Sequence, residues 1–588
     1  MNNVRRAGLR RGAAALVLGL AAATAGAVVP GTATSAPTDD CPEAFPAEEL
    51  AAGQAVDGLT VTSGSEPTGF SGTIKGVIVD GIAPGVDMVM ADLTSPEIDR
   101  VGGIWQGMSG SPVYAGDGRL VGAVAYGLSW GPSPVAGITP AAAMYDLLEG
   151  GGPAPAEQVD VPPEQRPALR ESGASKRQVD SGYRQLPMPV GVSGLSPRRL
   201  GQATKAFGFE GLDVYATGAA PTSSAAPVVA MAPGGNLAAA MSYGDVSALG
   251  VGSTTAVCGV QVLGFGHPAN FVGPTTMTMH NADAVYIQED PVAAPFKVAN
   301  PGPPQGTVTE DRLAAVLGVV GPLPEATTVS SLTQLAGTTK SRTGETRISV
   351  PSMVADLAAT HLLANQDRVY DGVRRGSTSA TWTFTGTRPN GAPWSLTRTD
   401  HLSNASDISF IAPMHLYFQL SGIQDALDGR GRGRIESVDI NSTMHERRRT
   451  WNVAKAEVRR PGGWVTFERG TRVRARAGST LRLRVSLRSV DNYLGRKVVR
   501  MRVAVPKRAA GASGVLRVLP STALWDQPEV EGTGFDKVLA RVAAMPRESD
   551  LVAVLNTNAG RRGLSTRTDR TLDAAVRGRA RVTVRVVR

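Results

Sequence analysis

The chain has 588 residues, with 69 Gly and 40 Pro, and its 60 Lys and Arg against 51 Asp and Glu leave a formal net charge of +9. That length is too great for one hydrophobic core and implies several domains, while sparse helical periodicity and many short alternating runs point to a mostly β fold and away from α/β layering. There is no zinc-ligand spacing, no phosphate-cradling Gly-rich loop ending in Lys-Ser/Thr and no RNA-binding aromatic pattern, so no metal, cofactor or nucleic acid is expected.

In chain order, Arg5, Arg6, Arg10 and Arg11 precede an apolar stretch from Ala13 to Ala23, and small residues follow at Ala25-Gly26-Ala27 and Thr34-Ser35-Ala36. This is the layout of a cleaved export signal over 1–36. Left uncleaved it would act as a membrane anchor, because with Val28 and Val29 the run nearly reaches spanning length. The protein is therefore expected to be secreted or held at the cell envelope. In that compartment Cys41 and Cys258 are expected to pair, which would tie the mature N-terminus to the neighbourhood of His267.

Residues 37–150 form a first β unit, with strands expected at Leu59–Thr62, Gly72–Val79 and Asp87–Leu93 and a short helix from Thr139 to Gly150. Residues 151–185, rich in Pro, Glu, Gln, Arg and Ser, read as a linker or exposed excursion. Residues 186–320 return to β character at Gly191–Leu195, Met231–Ala239, Val257–Gly266 and Ala282–Gln288, and 321–350 connect onward. Beyond 351 one helix is expected, Val354–Leu363. Strand-like runs follow at Thr381–Gly386, Trp394–Asp400, Arg434–Ile440, Val453–Val458, Arg472–Arg476, Leu481–Arg488 and Val498–Pro506. Leu481–Arg488 alternates apolar and polar without a break, which sets one face on a core and one in water. The spacing reads as a β-sandwich-like C-terminal domain over 351–588. Its basic runs, such as Arg447-Arg448-Arg449, read either as a solvated face or as a surface for an anionic cell-envelope polymer.

The chemistry concentrates in Gly107-Met108-Ser109-Gly110-Ser111-Pro112, followed by a strand, a Gly-containing turn and the apolar run Leu120-Val121-Gly122-Ala123-Val124. Acyl transfer at a serine needs a projecting hydroxyl and backbone N–H groups that converge on the oxyanion. The flanking glycines permit such a turn, and the proline passes the chain to an extended segment. The block resembles the nucleophile loop of chymotrypsin-like peptidases. It is closer still to the SpoIVB-type (sporulation factor IV B) serine peptidases, whose Gly-Gly-Ile-x-Gln-Gly-Met-Ser-Gly-Ser-Pro signature is met by Gly102 through Pro112, with Trp105 at the free position. The resemblance covers residues 59–150 well and the His267 neighbourhood moderately. It does not reach the tail, and no equivalent of the sporulation peptidase's PDZ domain is found. It implies a double β-barrel endopeptidase acting on protein or peptide substrates, with Ser109 as nucleophile and the N–H groups of Gly107 and Ser109 as oxyanion donors.

A serine nucleophile needs a base. Of six histidines, His267 stands at the end of an apolar strand in Gly264-Phe265-Gly266-His267-Pro268 and resembles the Gly-His element of the same family. His280 sits along a strand, and His361, His401, His415 and His445 fall outside the expected catalytic unit. In the family the histidine precedes the serine, whereas here it follows. The expectation is a permuted pair of halves, serine-bearing (37–150) then histidine-bearing (186–320). The family's orienting Asp-Pro pair is replaced by Ser95-Pro96, so the third member stays open among Asp92, Asp99, Asp283, Asp290 and Asp311. A missing carboxylate would lower the rate. Gly127-Leu128-Ser129-Trp130-Gly131 matches a nucleophile elbow, but Pro132 and Pro134 prevent the helix that motif requires; Trp130 is expected to line the cleft. The alternative function is an inactive peptidase-like envelope protein that binds a protein or an anionic wall polymer.

Overall fold

The computed structural model describes residues 41–149, 159–186, 190–207, 214–222, 229–292, 294–428, 431–524, 534–560 and 563–588; the expected export segment lies outside them. The fold is mostly β, with 49 % strand and 19 % helix. Six strands come first: β1 (Ala55–Thr60), β2 (Thr68–Ala83), β3 (Val86–Thr94), β4 (Pro112–Ala115), β5 (Leu120–Leu128) and β6 (Val135–Pro140). Helix α1 (Pro96–Val101) follows β3, and α2 (Ala141–Tyr145) follows β6. All nine residues of β5 are buried, which explains why that strand reads as a continuous apolar run instead of an alternation. Ser95 caps α1, its hydroxyl accepting from the Ile98 N–H at 3.1 Å, and Gly102 ends the helix in the left-handed region.

Residues 151–185, expected as a linker, carry α3 (Arg166–Glu171), α4 (Lys176–Ser181) and β7 (Tyr183–Gln185) in their described part. Val179 and Tyr183 are buried, so the polar composition describes only the outer faces of this excursion. Next come β8 (Val190–Val192), α5 (Pro197–Ala206) and β9 (Val214–Ala216). Six further strands follow: β10 (Asn236–Gly244), β11 (Ala248–Cys258), β12 (Gln261–Gly264), β13 (Gly273–Gln288), β14 (Phe296–Asp311) and β15 (Val316–Val320). Val257–Gly266, expected as one strand, is broken at Gly259, whose φ of +61° turns β11 back into β12.

Strands β1–β6 close on themselves, and so do β10–β15. Counted 1 to 6 within each set, both barrels have the cyclic order 1-2-3-6-5-4. The fold is thus a chymotrypsin-like double barrel, with the serine-bearing half first in the chain.

The second barrel's sheet extends past β10. Strands β16 (Thr327–Leu335) and β17 (Ser341–Ile348) precede helix α6 (Val354–Tyr370). Then come β18 (Gly376–Thr387), β19 (Pro393–Asn404), α7 (Ile408–Leu427) and β20 (Arg434–His445). The strands continue the sheet from β17 in the order β17-β16-β20-β18-β19, and α6 and α7 share a core with it. Residues 351–445, expected to belong with the tail, therefore extend the second barrel. Helix α7 was not expected: one stripe of it is buried, but its outer face also carries apolar residues such as Met414, Tyr417 and the 42 % exposed Phe418, so no polar face marks the period, and Pro413 near its start hides it further.

The tail proper is β21 (Thr450–Arg460), β22 (Gly463–Thr466), β23 (Arg472–Arg476), β24 (Thr480–Ser489), β25 (Arg496–Ala504), β26 (Ser513–Pro520), α8 (Phe535–Ala544), β27 (Asp550–Thr557), β28 (Leu564–Thr571), β29 (Ala575–Arg577) and β30 (Ala580–Val587). Its strands form two five-stranded sheets around one core that includes Val458, Leu483, Val485, Leu516, Leu555 and Val584. Among the described residues, no helix is long and apolar enough to cross a membrane.

Candidate active site

Ser109 lies in the connection from the third to the fourth strand of the first barrel, and His267 in the corresponding connection of the second. The nucleophile loop is pressed into the second barrel. Ser253 of β11 donates its N–H to the Ser109 carbonyl at 2.7 Å, Thr255 Oγ1 donates to the Gly110 carbonyl at 2.8 Å, and the Lys297 N–H of β14 reaches the Gln106 carbonyl at 2.9 Å. The approach is closest at Gly110, where φ is +93° and a Cβ would stand 2.0 Å from the Ser253 carbonyl oxygen and 2.4 Å from the Phe265 nitrogen. Only glycine fits there. In return, Thr139 of β6 donates to the Gly266 carbonyl at 2.5 Å, fixing the histidine loop on the first barrel.

These clamps bring His267 Nε2 to 2.8 Å from Ser109 Oγ, although 158 positions separate the two residues. Burial of the imidazole lowers its pKa from 6.5 to about 4, opposed by the Pro268 carbonyl. The ring is neutral at pH 7, as a base must be. Its Nδ1 faces the Pro268 carbonyl oxygen at 2.7 Å and the Gln185 amide nitrogen at 2.9 Å, and that amide also reaches the Pro268 oxygen at 2.9 Å. Donation from Nδ1–H to Pro268 leaves Nε2 free to accept the serine proton. Donation from Gln185 to Nδ1 puts the proton on Nε2 and blocks that role.

No carboxylate lies within hydrogen-bond distance of His267 among the described residues. Asp92 pairs with Lys75 at 3.4 Å, Asp99 and Asp283 are exposed, and Asp290 accepts from the Val292 N–H. Asp311 is buried beneath the histidine loop and accepts from the N–H groups of Ala269 (2.6 Å), Asn270 (2.8 Å) and Val272 (3.4 Å). It holds the backbone that carries the base and does not touch the ring. Sequence reasoning missed Gln185, which it left in the linker, because Tyr183-Arg184-Gln185-Leu186 runs apolar, polar, polar, apolar and carries no strand period.

The N–H groups of Gly107 and Ser109 donate to no protein acceptor among the described residues, which leaves both available to an oxyanion. Lys297 was not foreseen either. It is buried with its stem against Gly107, donates Nζ to Asn236 Oδ1 at 2.8 Å, and has its pKa lowered by burial to about 7. Ser129 accepts from Arg184 Nε at 3.0 Å, and Trp130 is covered by the Arg177 guanidinium 4.0 Å from its ring centre.

Cys41 and Cys258 form a disulfide with 4.8 Å between Cα atoms. It straps the segment at Cys41–Ala44, bridged at Ala44 to Leu120 of β5, onto the end of β11. A cavity of about 860 Å³, lined by residues such as Thr309, Asp425 and Arg434, includes neither reacting group. No cluster of three or more metal-ligating side chains occurs among the described residues.

Residues 31–139 match the family model described as SpoIVB peptidase S55. No curated protein and no solved structure matches the chain.

Proposed function

We propose, on the premise that this chain carries a SpoIVB-type serine-peptidase segment, that it is an exported endopeptidase working through an acyl-enzyme on Ser109. Ser109 Oγ attacks the substrate carbonyl carbon while His267 Nε2 takes its proton. The tetrahedral oxyanion meets the N–H groups of Gly107 and Ser109. Collapse breaks the C–N bond, and the imidazolium returns the proton to the leaving amine. Water, activated by the same imidazole, then releases the acyl group. The imidazolium has the Pro268 carbonyl dipole beside it and no carboxylate among the described residues, so a slower enzyme than a full triad is expected.

The observation that carries this reading is the 2.8 Å contact between imidazole and hydroxyl across two barrels. A fluorophosphonate probe tests it: Ser109-dependent labelling, lost in Ser109→Ala, is expected, and absence of labelling both in the wild type and in variants that open the site overturns it. Export is supported by the N-terminal basic and apolar layout and by the Cys41–Cys258 disulfide, which favours an oxidising compartment.

A second reading concerns the partner. On the solvent face of the tail, Arg482 stands opposite Arg502 and Arg488 opposite Arg496, while Arg484, opposite Arg500, is paired with Glu457 at 2.8 Å. Facing like charges destabilise a sheet, and a phosphate-bearing envelope polymer would relieve them. Polyphosphate is the probe. Its binding is expected to fall with added salt and to weaken in a variant with both Arg500→Gln and Arg502→Gln. Salt-independent binding would remove this reading.

A further inference from the structure

The reacting pair is deeply enclosed: Ser109 is 3 % exposed and His267 0 %, which leaves little room for a peptide carbonyl at Ser109 Oγ. Strand β5 runs beside both groups. Val124 accepts from the Gly110 N–H at 2.8 Å and donates to the Ser111 carbonyl at 3.0 Å. A Cβ on Gly266, directly before His267, would meet that of Ala125 at 3.1 Å.

One edge of β5 is paired with β6 from Gly122 to Gly127. The other is paired with β4 only over Leu120–Ala123. Beyond Ala123 that second edge faces the site, and the chain's own residues fill it. Gln185 pairs with Tyr126, Arg184 with Gly127 and Tyr183 with Leu128, antiparallel. The Leu186 N–H donates to the Ala125 carbonyl at 2.9 Å, and the Ser129 N–H reaches the Gly182 carbonyl at 3.4 Å. Leu186 is 3 % exposed and packs in an apolar niche beside Ile104 and Gly127, where a glycine Cβ would meet Leu186 Cδ2 at 3.0 Å and Ile104 Cδ1 at 3.4 Å. Ile104 lies three positions before Gly107, on the nucleophile loop.

An extended peptide added to a sheet edge is held by main-chain hydrogen bonds and sorted by pockets for alternate side chains. We propose that residues 182–186 are an intramolecular stand-in for the substrate strand. They hold the site shut, and the Leu186 niche selects substrates with a leucine-sized apolar side chain beside the scissile bond. Gln185 adds a second brake, because an amide N–H directed at Nδ1 favours the tautomer in which Nε2 cannot accept the serine proton. The word scissile rests on the peptidase reading; the docking does not.

The test uses the full chain carrying Ser109→Ala, so that nothing is turned over, and a dye-labelled peptide amide Gly-Tyr-Arg-Gln-Leu. Leu186→Asp, and the milder Leu186→Gly, free the edge, with circular dichroism melting used to select folded protein. The freed variants are expected to bind the peptide at least about tenfold more tightly than the parent, since occlusion reduces apparent affinity by the open fraction. The same peptide ending in Asp is expected not to bind. Equal binding by parent and freed variants, or no binding by either folded variant, overturns the proposal. Fluorophosphonate labelling of the Leu186 variants with Ser109 intact is expected to speed up by a similar factor. Peptide binding as expected with no labelling in any chain would sink the peptidase reading and leave the stand-in strand supported.

Discussion

At His267, the burial that readies the imidazole as a neutral base also withholds the charge stabilisation that a carboxylate would give its protonated form. The group must be neutral to act, so activity is lost as pH falls through its pKa. With that value near 4 in the closed site, the acid limb of the kcat/KM profile is expected below pH 6.5; a limb at or above 6.5 would show a solvated imidazole. Asp311 makes a separate prediction. Asp311→Ala leaves three N–H donors of the histidine loop without their carboxylate, which is expected to cost about 3 kcal/mol of stability. A loosened base should also slow probe labelling by about 10- to 100-fold. Unchanged labelling in a chain that melts earlier would separate a purely structural role from a positioning one. Lys297 has its folded pKa lowered to about 7 from 10.5, so the unfolded chain binds more protons between those values. Stability should therefore rise with pH from about 7 towards 10. Lys297→Met should remove that part of the slope in urea titrations.

The nucleophile loop and β11 are a single mechanical unit, because loop carbonyls are hydrogen-bonded to β11 and the Gly110 position has no room for a side chain. Gly110→Ala would push backbone against backbone and also place a side chain at a φ of +93°. A loss of more than about 3 kcal/mol is expected, seen as a lowered melting temperature together with loss of probe labelling; a near-native melting temperature would contradict the tight docking described. Much at this scale was legible beforehand. The glycines, the serine and the following apolar strand are a local pattern, and so is a histidine between a strand-ending glycine and a proline. Strand β7 was not legible, because three residues at the end of a polar stretch carry no periodicity of their own. Their extended state comes from pairing with β5, a contact about 55 residues back in sequence. Helix α7 was hidden for another reason, since apolar residues such as Tyr417 and Phe418 lie on its outer face as well and leave no polar face to set its period.

For the molecule as a whole, acid and redox behaviour follow from what is enclosed. His267, His280 and His361 are all buried with pKa values lowered to about 4, burial being the main cause in each. The unfolded chain takes up protons below pH 6.5 that the folded chain refuses until about pH 4, so stability should fall steeply across that window. Urea midpoints measured from pH 7 to 4.5 would show it, and a flat profile would contradict the enclosure of these rings. The Cys41–Cys258 bridge spans 217 positions and joins the segment before the first barrel to the second barrel. Cys258→Ser, or reduction, is expected to cost up to about 5 kcal/mol on the chain-entropy account, read as a drop in melting temperature.

The sequence alone singled out Ser109 and His267 as the groups proposed to carry the chemistry, because a nucleophilic serine and its base demand particular residue types in particular backbone settings, and those settings are written over a few neighbouring positions. It also determined the mostly β character, through the spacing of apolar residues and turn formers. Tertiary structure decided the rest: that the two loops meet at 2.8 Å, that Asp311 grips the base's backbone without touching its ring, and that Gln185 and Leu186 occupy the edge beside them. Those relations depend on how two closed barrels press together, and distances set by packing between remote segments leave no local trace in the order of residues.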